Sequence, residues 1–274
     1  MSQKLYVVGT PIGNLEDLSP RAVRILSEAH FIAAEDTRVT LKLLNHFGIK
    51  KELISYFEHN KTEKGEIIIN RILKGESCAL VTDAGMPAIS DPGEELVRQA
   101  HEMGVQIESV PGPTAFATAL AISGMPSGRF CFEGFLSVNK KSRKEHLESI
   151  KNEERTIIFY EAPHKLLNTL KDLYSVLGER NVAVVKEITK LHETVLRFKL
   201  STAIDYFTQN TPRGEYVLIV EGKEKEKQKE YTIQEAVEIA KGLINSGMSA
   251  SLAAKEAAAT TGFKKGEIYS LMLK

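Results

Sequence analysis

The sequence is poor in residues that staple or coordinate. It has no tryptophan and only two cysteines, Cys78 and Cys131, far apart in 274 residues. That speaks against a disulfide framework and fits a reducing compartment, so a cytoplasmic location is expected. No stretch approaches the roughly 18 apolar residues of a membrane span, so no membrane partner is expected. The opening MSQKLYVVGT lacks an apolar core before a small-residue cleavage site, and no signal peptide is expected. Basic and acidic residues number 36 each, leaving no net charge. A polyanion would therefore have to be met by local basic patches. The seven histidines never fall in H-x3-H or H-E-x-x-H spacing, which argues against zinc. Asp36, Asp83 and Asp91 stand on separate stretches without a phosphate-binding lysine, so no metal is expected. The motifs G-x-G-x-x-G, G-x-x-x-x-G-K-[ST] and G-x-S-x-G are also missing, and with them the main support for dinucleotide, P-loop and serine-hydrolase readings.

What is present reads as a globular α/β chain. Apolar residues make up 42% and charged residues 26%, and the length suits about two domains. Short apolar runs at 5–10, 31–36, 77–85 and 105–112 read as strands. Between them, 19–30, 41–49, 63–77 and 92–104 read as helices, the first with Ser19 and Pro20 as N-cap and first residue. This alternation predicts a mostly parallel sheet over 1–124. The pattern restarts after Gly124-Met125-Pro126. Strands are expected at 129–136, 155–163, 181–188, 193–200 and 214–222, and helices at 141–153 and 164–178. The later strands lie closer together, so the second domain, 125–222, should pair more of them antiparallel. The run KEKEKQKE, 223–230, reads as a charged linker, and 231–274 as a small appendage of three short helices.

Three glycine- and proline-rich loops follow strands of the first half: GTPIGN (9–14), DAGMPAISDPG (83–93) and PGPTA (111–115). Parallel sheets bind ligands beyond the carboxyl ends of their strands, and glycine lets backbone approach a ligand closely. Together with AEDTR (34–38), FYEAPHK (159–165), KEITKLHE (186–193) and RGEYVLIVEG (213–222), these loops resemble the tetrapyrrole methylase superfamily. The resemblance is narrower to its branch of bacterial small-subunit ribosomal RNA cytidine 2′-O-methyltransferases. It runs in order over about 220 residues.

That resemblance implies two α/β domains with a cofactor cleft between them, and a C-terminal helix-turn-helix-like appendage. It implies an S-adenosyl-L-methionine-dependent enzyme, a homodimer, acting on 16S rRNA or the small ribosomal subunit. Carried over by position, Pro11 lines the cleft. Asp83, Ala84, Gly85, Ile89 and Ser90 hold the methionine and ribose parts, and Thr114, Ala115 and Phe116 approach the sulfonium. Phe159, Tyr160, Leu191, Gly214 and Tyr216 close over the adenine. For the proton and the RNA, the candidate set is Asp36, Arg38 and Lys190, each of which could equally be a structural ion pair or cap. Lys140, Lys141, Arg143 and Lys144 put four positive charges at a helix start, where the macrodipole favours acids, so phosphate contact is the functional reading. Two rivals remain. One is a small-molecule tetrapyrrole C-methyltransferase with the same cleft, which has no use for the basic segment or the tail. The other is a ligand-sensing nucleic-acid-binding regulator, for which the charge-balanced tail offers weak footing.

Overall fold

A computed structural model describes residues 3–224 and 231–272. They form two compact units, one reaching Lys223 and one beyond it. Most of the expected charged linker, 225–230, lies outside the described residues.

The larger unit begins with β1 (Lys4–Val8), α1 (Pro20–Glu28), β2 (Phe31–Ala34), α2 (Thr37–His46), β3 (Glu52–Ser55), α3 (Lys61–Leu73), β4 (Cys78–Val81), α4 (Gly93–Glu102), β5 (Gln106–Val110) and α5 (Ala115–Ser123). Its sheet has the order β3-β2-β4-β1-β5 and is parallel throughout. Helices cover both faces, so β2 and β4 are buried at every residue and read as plain apolar runs. Ser19 caps α1 through the Ala22 amide, with Pro20 as its first residue.

The chain continues through β6 (Phe130–Phe135), α6 (Lys140–Ser149), β7 (Thr156–Glu161), α7 (Leu166–Leu177), β8 (Asn181–Lys186), β9 (Thr194–Lys199), α8 (Leu200–Gln209) and β10 (Tyr216–Val220). These strands make a second sheet, β6-β7-β10-β8-β9, in which only β6 and β7 run parallel. One face packs on α6, α7 and α8 around Phe159, Leu170 and Leu218. The other meets α5 through Ala119, Leu120, Ile158, Val185 and Val217. Helix α5 thus belongs to the first half by sequence and to the second sheet by packing.

The smaller unit holds α9 (Ile233–Asn245), α10 (Ala250–Thr261) and α11 (Lys265–Met272) around Ala236, Ala240, Ala254, Ala257 and Ile268. Thr232 and Glu235 close a capping box on α9.

Three elements exceed the sequence expectation. Strand β3 has only four residues at the sheet edge. Helix α5, AFATALAIS, is apolar around nearly its whole circumference and shows no helical period. Helix α8 starts directly from the last residue of β9, with no punctuating turn.

At the carboxyl end of the first sheet, the backbones at Gly9 and Gly112 touch. A Cβ on Gly112 would lie 2.7 Å from the Gly9 Cα. Gly112→Ala should lower stability in urea denaturation by roughly 1–3 kcal/mol, the usual range for overpacking. Gly128→Ala, with open space around its added methyl, should change it by under about 0.5 kcal/mol.

Candidate functional site

The three loops meet over β1, β4 and β5. Thr10 and Gly85 exchange backbone hydrogen bonds of 2.9 and 3.1 Å, tying the first loop to the second. The Thr10 hydroxyl donates to the Thr82 carbonyl at 3.1 Å. The Gly9 amide donates to Val110 at 3.0 Å, and the Gly9–Gly112 contact ties the first loop to the third. Gly85 holds φ at +96°, and a Cβ there would sit 3.5 Å from the Ile12 Cγ2 and the Pro113 carbonyl. Among the described residues, four others carry left-handed backbone without being glycine: Ala88, Ser90, Glu187 and Thr189. All lie on the two loops, 83–93 and 186–193, that flank one cleft, a placement typical of functional strain.

The cleft encloses about 450 Å³. The first half contributes Ile12, Glu35, Thr82 to Met86, and Ile89 to Asp91. Thr114 and Ala115 come from the start of α5. The second sheet adds Phe135, Tyr160 to Pro163, Ile188, and Glu215 to Val217. Five carboxylates line it (Glu35, Asp83, Asp91, Glu161 and Glu215), and no Lys, Arg or His does among the described residues. Glu35 accepts from the Thr82 hydroxyl at 2.6 Å. Asp83 accepts from the Asp36 amide at 3.1 Å. Burial, with the nearby Glu35 carboxylate, raises the Asp83 pKa above the ordinary aspartate range. Burial likewise raises Asp91, whose Oδ1 accepts from the Ala88 and Gly93 amides at 2.9 and 2.8 Å and so shapes the second loop. The Tyr160 hydroxyl accepts from the Phe116 amide at 3.1 Å, joining the second sheet to α5.

A family model described as tetrapyrrole (corrin/porphyrin) methylases matches residues 4–204. The chain belongs to this family. It is 45% identical over 270 residues to the ribosomal RNA small subunit methyltransferase I of Synechocystis sp., covering 98% of this chain and 97% of that protein. The protein of the same name from Halalkalibacterium halodurans is 46% identical, with 97% and 93% covered. Among solved structures, uroporphyrin-III C-methyltransferase from Thermus thermophilus, complexed with S-adenyl homocysteine, superposes with a TM-score of 0.56. Identity there is 19%, over 80% of this chain and 97% of that one. Diphthine synthase reaches 0.61 at 15% identity, over 80% and 90%. At such identities the likeness is one of fold.

In this methylase-family chain, Asp83, Ala84, Gly85, Ile89, Ser90, Thr114, Ala115, Tyr160 and Tyr216 line the one cleft. Five expected lining residues do not. Phe159 is fully buried in the core on the opposite face of β7, because neighbours along a strand alternate sides. Phe116 stacks on Phe132 at 4.7 Å within the interface between α5 and the second sheet. Leu191 is 94% exposed on a turn outside the cleft. Pro11 is half-buried and does not line it. Gly214 is a packing glycine, since a Cβ there would strike the Glu187 carboxylate.

Each member of the expected catalytic set is held in an ion pair. Asp36 caps α2 and holds the Arg38 guanidinium with both oxygens, at 3.0 and 2.6 Å. The Arg38 side-chain bond, more than any other contact, lowers the Asp36 pKa to about 2, making it a poor base. Burial opposes the charge on Lys190, but Glu215 at 2.8 Å and Glu187 at 3.1 Å outweigh it and raise its pKa. Of the basic segment, Lys140, Lys141 and Lys144 are exposed. Arg143 is not: its side chain is 14% exposed, donating to Asp172 at 2.6 Å and to the Thr169 hydroxyl at 2.8 Å. Glu35 and Phe135 escaped the sequence reading. Glu35 adjoins Asp36 in AEDTR, but only the fold shows which of the two carboxylates enters the cleft.

The raised pKa of Asp83 has a sign. Ionising it works against the folded state, so wild type should lose stability through this group as pH rises from the unfolded to the folded pKa. Asp83→Asn should be spared that loss. Thermal melts should show the variant ahead at about pH 7 and the gap closed by about pH 3.

Proposed function

We propose that this chain transfers a methyl group from S-adenosylmethionine to the 2′-oxygen of a cytidine in 16S ribosomal RNA. The observation that carries the donor is the charge of the cleft. A ligand with a sulfonium and an ammonium suits a pocket lined by five carboxylates, of which only Glu215 is countered by a lysine, Lys190, among the described residues. The volume suits a small cofactor, and positive φ at Gly85 leaves backbone open to close approach. When bound, the sulfonium supplies an activated methyl group for in-line displacement.

The chain's own residues bind, orient and exclude water. Backbone at 83–85, with Thr114 and Ala115, forms one wall, and Tyr160 and Tyr216 the other. For the proton of the 2′-hydroxyl, Asp36, Arg38 and Lys190 remain the candidate set, and Asp83 is a further carboxylate on the cleft lining. One of its oxygens accepts from the Asp36 amide, and burial raises its pKa. The RNA substrate is supported by the names of relatives similar over nearly the whole chain and by exposed Lys140, Lys141 and Lys144. The homodimer implied by the family resemblance stays part of this proposal.

Nucleoside mass spectrometry of 16S RNA from cells lacking this protein should show one 2′-O-methylcytidine missing. Wild type should restore it. Gly85→Val should not, because a branched side chain at φ +96° fills the cradle. Unchanged methylcytidine in the deleted strain overturns the assignment.

The contribution of α6 to RNA binding should come from its exposed lysines and not from Arg143. Replacing Lys140, Lys141 and Lys144 by Gln, with Arg143 kept, should flatten log affinity against log salt by roughly 0.7–0.9 for each phosphate no longer neutralised. An unchanged slope would remove α6 from the RNA interface.

A further inference from the structure

Phe135 is the most exposed phenylalanine of the core strands, at 60%, and it lines the cleft. Its position comes from a defect in the sheet. Strand β6 pairs Cys131 with Ile157 and Phe132 with Ile158, then skips Glu133 and resumes with Gly134 against Phe159 and Phe135 against Tyr160. The extra residue reverses the alternation of every side chain after it. In a regular strand Phe135 would share the face of Cys131, which packs on the core around Phe159. With the bulge it joins Phe132 on the cleft face, its ring centroid 5.5 Å from that of Tyr160. Gly134 absorbs the irregularity at φ +62°, and a Cβ there would lie 3.5 Å from the Ser90 Oγ. The ring therefore stands beside the loop that shapes the donor cradle.

An exposed phenylalanine at this point leaves a large apolar face in water that burial would stabilise. Its surroundings name what covers it. The cleft is acidic and would repel phosphate, whereas exposed Lys140, Lys141 and Lys144 follow Phe135 so closely that at most about 18 Å of chain reaches Lys140. A group with an uncharged flat face and a charged backbone matches this division. We infer that Phe135 is a stacking platform for an unpaired nucleobase of the RNA, with Tyr160 behind it and the phosphates held outside by the α6 lysines. Single-stranded nucleic acid is held in this way, base on aromatic face and backbone on cations. The inference rests on the RNA reading above.

The test uses the full chain and small ribosomal subunits from cells lacking it. Phe135→Ala and Phe135→Leu should each lower kcat/KM for the subunit by roughly 5- to 100-fold, the range expected for removing one base stack. Phe135→Tyr should stay near wild type. S-adenosylhomocysteine affinity, by calorimetry, should fall far less than kcat/KM in all three, because the ring sits on the cleft lining but serves RNA. Full activity in Phe135→Leu overturns the platform, since a flat face is then unnecessary. A parallel loss of S-adenosylhomocysteine affinity also overturns it, by making the ring a cofactor wall. Failure of wild type itself to methylate subunits refutes the RNA reading, a result distinct from either.

Discussion

The contact between the backbones at Gly9 and Gly112, with the Thr10–Gly85 bridge beside it, is the constraint on which the rest of the site depends. Three loops leaving adjacent parallel strands must converge within van der Waals distance. A Cβ at Gly9 or Gly112 would come within 2.7 Å of the facing backbone. Once joined, the loops fix where α5 begins, and α5 carries the contact to the second sheet. The cleft is therefore defined by backbone packing before any side chain contributes chemistry.

Electrostatics then divides the work. Inside, five carboxylates line the cleft and only Glu215 has a lysine partner, Lys190, among the described residues, favouring a cationic ligand and disfavouring phosphate. The basic groups nearest in sequence are already paired: Arg38 on Asp36, Lys190 on Glu187 and on the cleft-lining Glu215, Arg143 on Asp172. What remains exposed on α6 is three lysines at its first turns. A net charge of zero thus conceals a sharp local separation of sign.

Much of the site was legible because it is made of loops with unusual composition. Glycine and proline at strand ends marked 9–14, 83–93 and 111–115, and nine of the fourteen expected cofactor residues line the cleft. The misses have a common cause. Phe159 and Tyr160 are equivalent neighbours in sequence, and only the pleat sends one to the core and the other to the cleft. Asp36 and Arg38 stand close together in AEDTR, and the fold pairs them with each other, leaving a capping carboxylate with little affinity for a proton. Arg143 reads as one charge of four until α7 offers it a carboxylate and a hydroxyl.

By itself, the sequence determined the alternation of strands and helices and the positions of the glycine- and proline-rich loops at the strand ends. Those follow from local physics: apolar period, capping residues and the conformational freedom of glycine. The tertiary structure alone decided which face each strand residue occupies, which charges are already paired, and that α5 serves the second sheet. Those depend on register and on contacts between residues far apart in the chain. Phe135 shows the difference most plainly. Its alternation is set by an extra residue opposite Ile158 and Phe159, and no reading of FCFEGF in isolation reveals where a partner strand will skip.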